Sequence, residues 1–450
     1  MSTLALLLSI VGAVVVLFLL IMGLKLHAFV ALLVTSILTA VVVGIPLNEV
    51  IAVVEEGMGG VLGFVAIIVG LGAMFGQVLR VTGAAEKIAD TLVESFGEKR
   101  LPSSLGLTGF IVAIPVFFDV VLVLLMPLLY TLARRAEVAL LTLAIPLLAG
   151  ASIAHSLVPP TPGPVAAAGV LGADLGWVIL LGVVASIPAV ILGGILYGRF
   201  IGARIQVRAP DEAEDDDQEE DQPTSDSTPG FGMILTILAV PLLLILGNTV
   251  SEAVLDEELL AAQIIALVGD PIVALIIGVL LAFYVLGMRH GLGREELQTV
   301  ASKALEPVGL IILVTGAGGV FGEVLEQSGV GEALEDTLGE LGIPVILTAF
   351  VAAALLRISL GASTVAAVTA AAIVAPMVEE GDLSAPMVAA VVVAVGAGSV
   401  IFSHVNDSGF WLVNRYLGLT EKQTLASWSV MQTILALASF GTVWAISPIL

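Results

Sequence analysis

A chain of 450 residues that is 58% hydrophobic and 12% charged, with a mean hydropathy of +1.13, is excluded from the class of soluble globular domains. Its repeated apolar runs of about 20 residues match the length needed to cross a bilayer and read as a polytopic, all-α membrane protein. The formal charge of −23 is unusual for such a protein; with lysine scarce beside arginine it suggests a high-salt organism, the alternative being a merely acidic protein, and no nucleic-acid partner is expected.

In chain order, the first apolar run, Leu4 to Met22, lacks a basic lead and a small-residue cleavage site, so it reads as a retained helix rather than a signal peptide. Further spans are predicted near 28–45, 58–79, 137–173, 176–199, 231–248, 260–287, 305–325, 385–413 and 425–446. Two stretches, 101–133 and 342–378, are interrupted midway by polar, Pro or Gly residues and read as re-entrant hairpins. Between Asp211 and Asp226 lies "DEAEDDDQEEDQPTSD", which holds ten of the 39 acids and cannot bury apolar surface, so it reads as a disordered linker. The predicted division is a first transmembrane repeat over 1–204, the acidic linker over 205–229 and a second repeat over 230–450.

Lysine and arginine placement tests that plan, because cytoplasmic loops carry the basic excess. With both termini outside and each hairpin returning to its own side, all of the 16 basic residues except Arg357 fall on one face, together with the acidic linker. The chain also repeats itself. "GLGAMFGQVLRVTGAAEKIADTL" (70–92) and "GAGGVFGEVLEQSGVGEALEDTL" (316–338) align without a gap, pairing Gly72 with Gly318, Phe75 with Phe321 and Gly76 with Gly322. Five spans and one hairpin per half make the second half enter from the opposite side, giving inverted repeats with interrupted helices near the midplane. That is the sequence sign of a secondary transporter, a symmetry that channels can share.

Four polar clusters fall at corresponding places. The hairpin tips carry Asp119 in the first half and Arg357, Ser359, Gly361, Ser363 and Thr364 in the second; the interrupted spans carry "HSLVPPTPGP" (155–164) and "SHVNDSGFW" (403–411). Arg357, a cation at membrane depth, requires a partner, either an anionic substrate or Asp119 or Asp407. The short residues around "SLGAST" suit a tip whose amides and hydroxyls approach an anion, or plain helix packing. Asp119 suits a proton carrier or a fixed ion pair, and His155 and His404 suit a proton relay or neutral hydrogen bonding. Asn406 and Asp407 suit a polyhydroxylated ligand, or the capping of the following helix. Glu86, Asp90, Glu332 and Asp336 read as parts of amphipathic, interfacial segments. With no cysteine there is no disulfide or thiolate site; no cofactor and no metal is expected, and no nucleophile elbow or zinc motif suggests an enzyme.

At "FFDVVLVLLMPL", "HSLVPPTPGPVAAAGVLGADLG", "RISLGASTVAA" and "SHVNDSGFWLVNRYLGLTEKQTLASWSVMQTI" the chain resembles the gluconate permease family of proton symporters for sugar acids and related hydroxy acids. The resemblance implies a plasma-membrane homodimer with a scaffold and a transport domain that bears two hairpins, working by an elevator motion. It implies an organic anion and a proton as cargo. On this reading Arg357 neutralises the carboxylate; Ser359, Gly361, Ser363, Thr364, Thr161, Asn406 and Asp407 contact substrate; and Asp119, with His155 or His404, carries the proton. Thr161 in "PPTPGP" departs from the expected histidine or similar polar residue, which bears on substrate identity. The nearest rival reading is a sodium-coupled carboxylate transporter of similar fold.

Overall fold

The computed structural model describes residues 3–96, 100–207, 229–255, 258–306, 308–328, 343–381, 383–404 and 407–450. Most of the acidic linker and the repeat segment containing Glu332 and Asp336 lie outside these, as does Asn406. Among the described residues the chain's only regular structure is helix, and there is no strand. Seven of its helices are long and apolar enough to cross a membrane: Val50–Val81, Leu140–Leu171, Leu175–Arg204, Phe231–Ser251, Pro271–His290, Ser363–Glu380 and Glu421–Ile449.

Helix occupies each span expected from the sequence, and the differences lie in where helices begin and break. In the first half these are α1 (Thr3–Phe18), α2 (Ala28–Val43), α3 (Val50–Val81), α4 (Ala84–Phe96), α5 (Leu101–Ala113), α6 (Phe118–Arg135), α7 (Leu140–Leu157), α8 (Pro162–Leu171), α9 (Leu175–Ala189) and α10 (Tyr197–Arg204). The second half contains α11 (Phe231–Val254), α12 (Leu260–Gly269), α13 (Pro271–Leu281), α14 (Arg294–Leu305), α15 (Val308–Gln327), α16 (Val345–Leu360), α17 (Ser363–Glu380), α18 (Ala385–Val400), α19 (Ser408–Tyr416), α20 (Glu421–Thr424) and α21 (Val430–Ile446). The span expected at 260–287 is broken at Asp270, whose carboxylate caps α13 by accepting from the Ile272 and Val273 amides, with Pro271 at the first helical position.

Where lipid surrounds a fold, helices associate by close packing of small residues rather than by expulsion of water. That physics is visible at both hairpins. A Cβ on Gly150 of α7 would lie 2.0 Å from the Gly106 carbonyl oxygen of α5, and one on Gly398 of α18 would lie 2.4 Å from the Phe350 carbonyl oxygen of α16. The first arm of each hairpin is therefore seated backbone to backbone on the first part of an interrupted span. The two interrupted spans in turn meet each other: a Cβ on Gly396 of α18 would lie 2.6 Å from the Ser156 carbonyl oxygen of α7. Below that crossing, Ser152 of α7 and Gln432 of α21 exchange hydrogen bonds of 3.0 and 2.9 Å in a buried setting, each meeting part of the other's polar demand.

The second arms cross between halves. α17 packs on α8, and α6 packs on α19, where the Tyr130 hydroxyl donates to the Tyr416 carbonyl. Phe118, at the start of α6, lies with its ring 5.3 Å from that of Trp428, which sits in the wound turn between α20 and α21. Long α3 joins the halves through α15, with Gly57 and Gly319 in backbone contact. The four helix breaks are thereby gathered around the crossing of the two interrupted spans.

Candidate functional site

Each break has a local cause. In the first interrupted span, Pro159, Pro160 and Pro162 remove amide donors between α7 and α8, and Thr161 turns its hydroxyl back to the Val158 carbonyl at 2.6 Å. In the first hairpin, Ile114 to Phe117, with Pro115 among them, separate α5 from α6. In the second hairpin, Gly361 takes a φ of 84° that other residues rarely adopt, and its amide closes α16 on the Arg357 carbonyl at 3.0 Å. The second interrupted span opens at Phe402, whose φ of 44° is a strained, left-handed conformation for a bulky residue.

These breaks bring one charged centre together. Arg357, only 4% exposed, points an Nη2 donor at Oδ2 of Asp407 in an ion pair across the second hairpin and the second interrupted span. Oδ1 of Asp407 accepts the Gly409 amide at 3.1 Å and so caps α19. The Ser403 hydroxyl also donates to Oδ2, while Ser403 Oγ accepts the Trp428 indole N–H at 2.6 Å and its carbonyl accepts the Ser429 hydroxyl. His404 places Nε2 2.8 Å from the Ile358 carbonyl oxygen, which calls for the Nε2–H tautomer and ties the break to the last turn of α16. Asp119, exposed at the first turn of α6, lies within electrostatic reach of Asp407.

Two donor atoms of this centre, Arg357 Nε and Nη1, are buried and have no acceptor among the described residues. A buried guanidinium with donors unfilled is costly, and an anion that reaches it is repaid accordingly. Ser363, at the N-terminus of α17, shares a hydrogen bond of 3.0 Å with Ser399 of α18, and Thr364 beside it is half-buried. Ser359 lies in the last turn of α16, and its side chain is outside the described set.

A small recess lies in the first half, where Gly72 and Ala73 of α3, Pro115 and Phe117 of the hairpin turn, and Pro160 and Thr161 of the break meet. His155 stands at its edge, its ring 5.9 Å from Phe117 and its Nδ1 buried without a partner among the described residues. Of the residues expected to act, the structure thus groups Arg357, Asp407, His404 and Asp119 around one ion pair. It places Ser363 and Thr364 at the neighbouring hairpin tip, and His155 with Thr161 at the recess of the other half. Ser403, Trp428 and Ser429 were not singled out from the sequence. The signal available was "SWS" (427–429) for Trp428 and Ser429, and the head of "SHVNDSGFW" for Ser403.

A family model described as GntP family permease matches residues 4–449. Among curated relatives, the low-affinity gluconate transporter of Escherichia coli strain K12 is 41% identical over 446 residues, covering 99% of this chain and 98% of that protein. A gluconate permease of Bacillus licheniformis is 38% identical over 95% of this chain and 96% of its own length. Among solved structures, the YdaH transporter of Alcanivorax borkumensis superposes with a TM-score of 0.65 at 16% identity, covering 94% of this chain and 98% of that one. MtrF of Neisseria gonorrhoeae superposes with a TM-score of 0.64 at 12% identity, over 93% and 94%. At those identities the likeness concerns the fold alone.

Proposed function

The chain belongs to the GntP permease family, a membrane transport protein and not an enzyme, and on that premise we propose that it imports gluconate or a related sugar-acid or hydroxy-acid anion together with protons. The observation that carries the reading is Arg357: a buried cation whose Nε and Nη1 lack acceptors among the described residues, set at the broken tip of a hairpin. A carboxylate matches those donors in charge and in planar geometry. Hydroxyls at Ser359, Ser363, Thr364 and Thr161, the Gly361 backbone and the polar atoms of Asn406 are assigned to the hydroxylated remainder of the substrate. Asp407 is assigned with them to the substrate, and Asp119, with His155 or His404, to carrying the proton.

The wider reading keeps both termini outside, the acidic linker in the cytoplasm and the halves as inverted repeats in a homodimer. The crossing of second arms between halves supports a transport unit that moves as a body against its scaffold, exposing the site to each side in turn. The acidic surface is read as an adaptation to high salt, so assays belong at high ionic strength.

Competition tests the substrate class. Uptake of labelled gluconate into proteoliposomes is expected to be blocked by unlabelled hydroxy acids, and at least about tenfold less well by sorbitol, which has the hydroxyls without the carboxylate. Equal competition by sorbitol would remove the carboxylate from the centre of the reading.

A further inference from the structure

Resting on the substrate reading above, we infer that Trp428 is a positioning residue for anion recognition: its indole N–H aims the Ser403 hydroxyl at Asp407, so that Asp407 can share Arg357 with the substrate carboxylate.

The guanidinium has room for two carboxylates. Nη2 of Arg357 carries two N–H bonds, one on each bidentate edge, and Oδ2 of Asp407 engages that nitrogen. Nε and Nη1 are buried without acceptors among the described residues, so a full edge is left for a second carboxylate whichever hydrogen Asp407 takes. Sharing weakens both contacts. With one cation between two anions, Asp407 receives less of the charge than it receives alone, and the two carboxylates repel each other. Neutral donors on Asp407 therefore matter more in the loaded site than in the empty one. Among the described residues these are the Gly409 amide, 3.1 Å from Oδ1, and the Ser403 hydroxyl on Oδ2.

The amide is fixed by the start of α19, whereas a hydroxyl can turn. Buried hydroxyls elsewhere in this chain turn back on their own helix: Ser36 donates to the Leu32 carbonyl, Ser186 to that of Gly182 and Ser439 to that of Leu435. Ser403 instead donates sideways to Asp407, and Trp428 accounts for the difference. An indole N–H can only donate, so the 2.6 Å bond from Nε1 makes Ser403 Oγ the acceptor and leaves its one proton for Asp407.

Two consecutive residues hold Ser403 from both ends, since the Ser429 hydroxyl donates to the Ser403 carbonyl. They lie in a turn of π-helix, Leu425–Ser429, a form that occurs mostly as single turns and often at functional sites. The indole is held in turn by Phe118 at the head of α6, with ring centres 5.3 Å apart. Trp428 and Ser403 are both buried, so solvent does not stand in for either donor.

Isothermal titration of the purified protein in detergent with gluconate reads affinity and stoichiometry together. Trp428→Phe keeps a ring against Phe118 and removes the N–H; Ser403→Ala removes the hydroxyl. Each should weaken gluconate binding about tenfold at unchanged stoichiometry, a fraction of the worth of one hydrogen bond to a charged group. Because Trp428 acts through Ser403, the double variant should also bind about tenfold more weakly than the unaltered protein. A loss of about a hundredfold in the double variant would mean that the two residues act separately, and would overturn the inference. So would affinity within about twofold of the unaltered protein in either single variant, the result expected if Trp428 only fills space. Should Trp428→Phe fail to insert, the indole N–H resonance of Trp428 in the unaltered protein decides: it should shift when gluconate saturates the site, and an unmoved resonance would contradict the inference. No binding of gluconate by the unaltered protein would instead remove the substrate reading on which the inference rests.

Discussion

Arg357→Gln lowers substrate affinity by about 2 to 5 kcal/mol, roughly thirtyfold to several thousandfold, the range for removing one member of a buried, hydrogen-bonded charge pair. The size follows from where the residue sits. Arg357 is 4% exposed, so no water takes over its role at the carboxylate, and glutamine offers one amide where the guanidinium offered a charged fork. Arg357→Lys retains the charge and should still lose most of the affinity, because an ammonium cannot present either planar edge. Arg357→Gln also leaves the half-buried Asp407 without its cation, which threatens the fold separately. Arg357→Gln combined with Asp407→Asn removes that penalty: the double variant should reach the membrane at normal levels and still fail to bind. Direct binding by isothermal titration in detergent reads the effect, and affinity within threefold of the unaltered protein in Arg357→Gln would contradict the assignment.

Gly76→Ala should destabilise the protein by at least about 2 kcal/mol, whereas Gly322→Ala should be close to neutral. The two glycines are partners in the repeated sequence, so the sequence alone assigns them one role. Their surroundings differ. A Cβ at Gly76 would lie 1.9 Å from the Pro115 carbonyl oxygen, backbone of the first hairpin turn, which can yield only if the turn itself shifts. At Gly322 the nearest atom is the Ala372 Cβ at 3.6 Å, an ordinary van der Waals separation. Because the turn touched by Gly76 also borders the recess with Thr161 and Pro160, Gly76→Ala should reduce transport as well as lower the melting temperature of the purified protein. Equal melting temperatures for the two variants would show that the first hairpin turn is not held against α3 as described.

The same pair shows how far sequence reading reached. Apolar run length and breaker position located helices and breaks, because the bilayer imposes one length and proline and glycine have local effects that need no partner. Arg357 stood out for the same reason: a cation in an apolar run is conspicuous wherever it folds. Its choice of Asp407 over Asp119 was not legible, since 50 residues separate the pair and only the packing of α16 beside the second break selects between them. Ser403, Trp428 and Ser429 were equally silent. Hydroxyls and an indole in a span commonly satisfy their own helix or the bilayer interface, and the chain linking Trp428 through Ser403 to Asp407 exists only in three dimensions. Thr161 makes the opposite lesson: read as a ligand contact, it spends its hydroxyl proton on the Val158 carbonyl, leaving only its oxygen to receive a donor.

The most direct test of proton-coupled anion import is labelled gluconate uptake into proteoliposomes at high ionic strength, under an inward proton gradient with no sodium and, separately, an inward sodium gradient with no pH difference. Accumulation above the external concentration with the proton gradient alone is the expected result. Accumulation that requires sodium and ignores the proton gradient would contradict it.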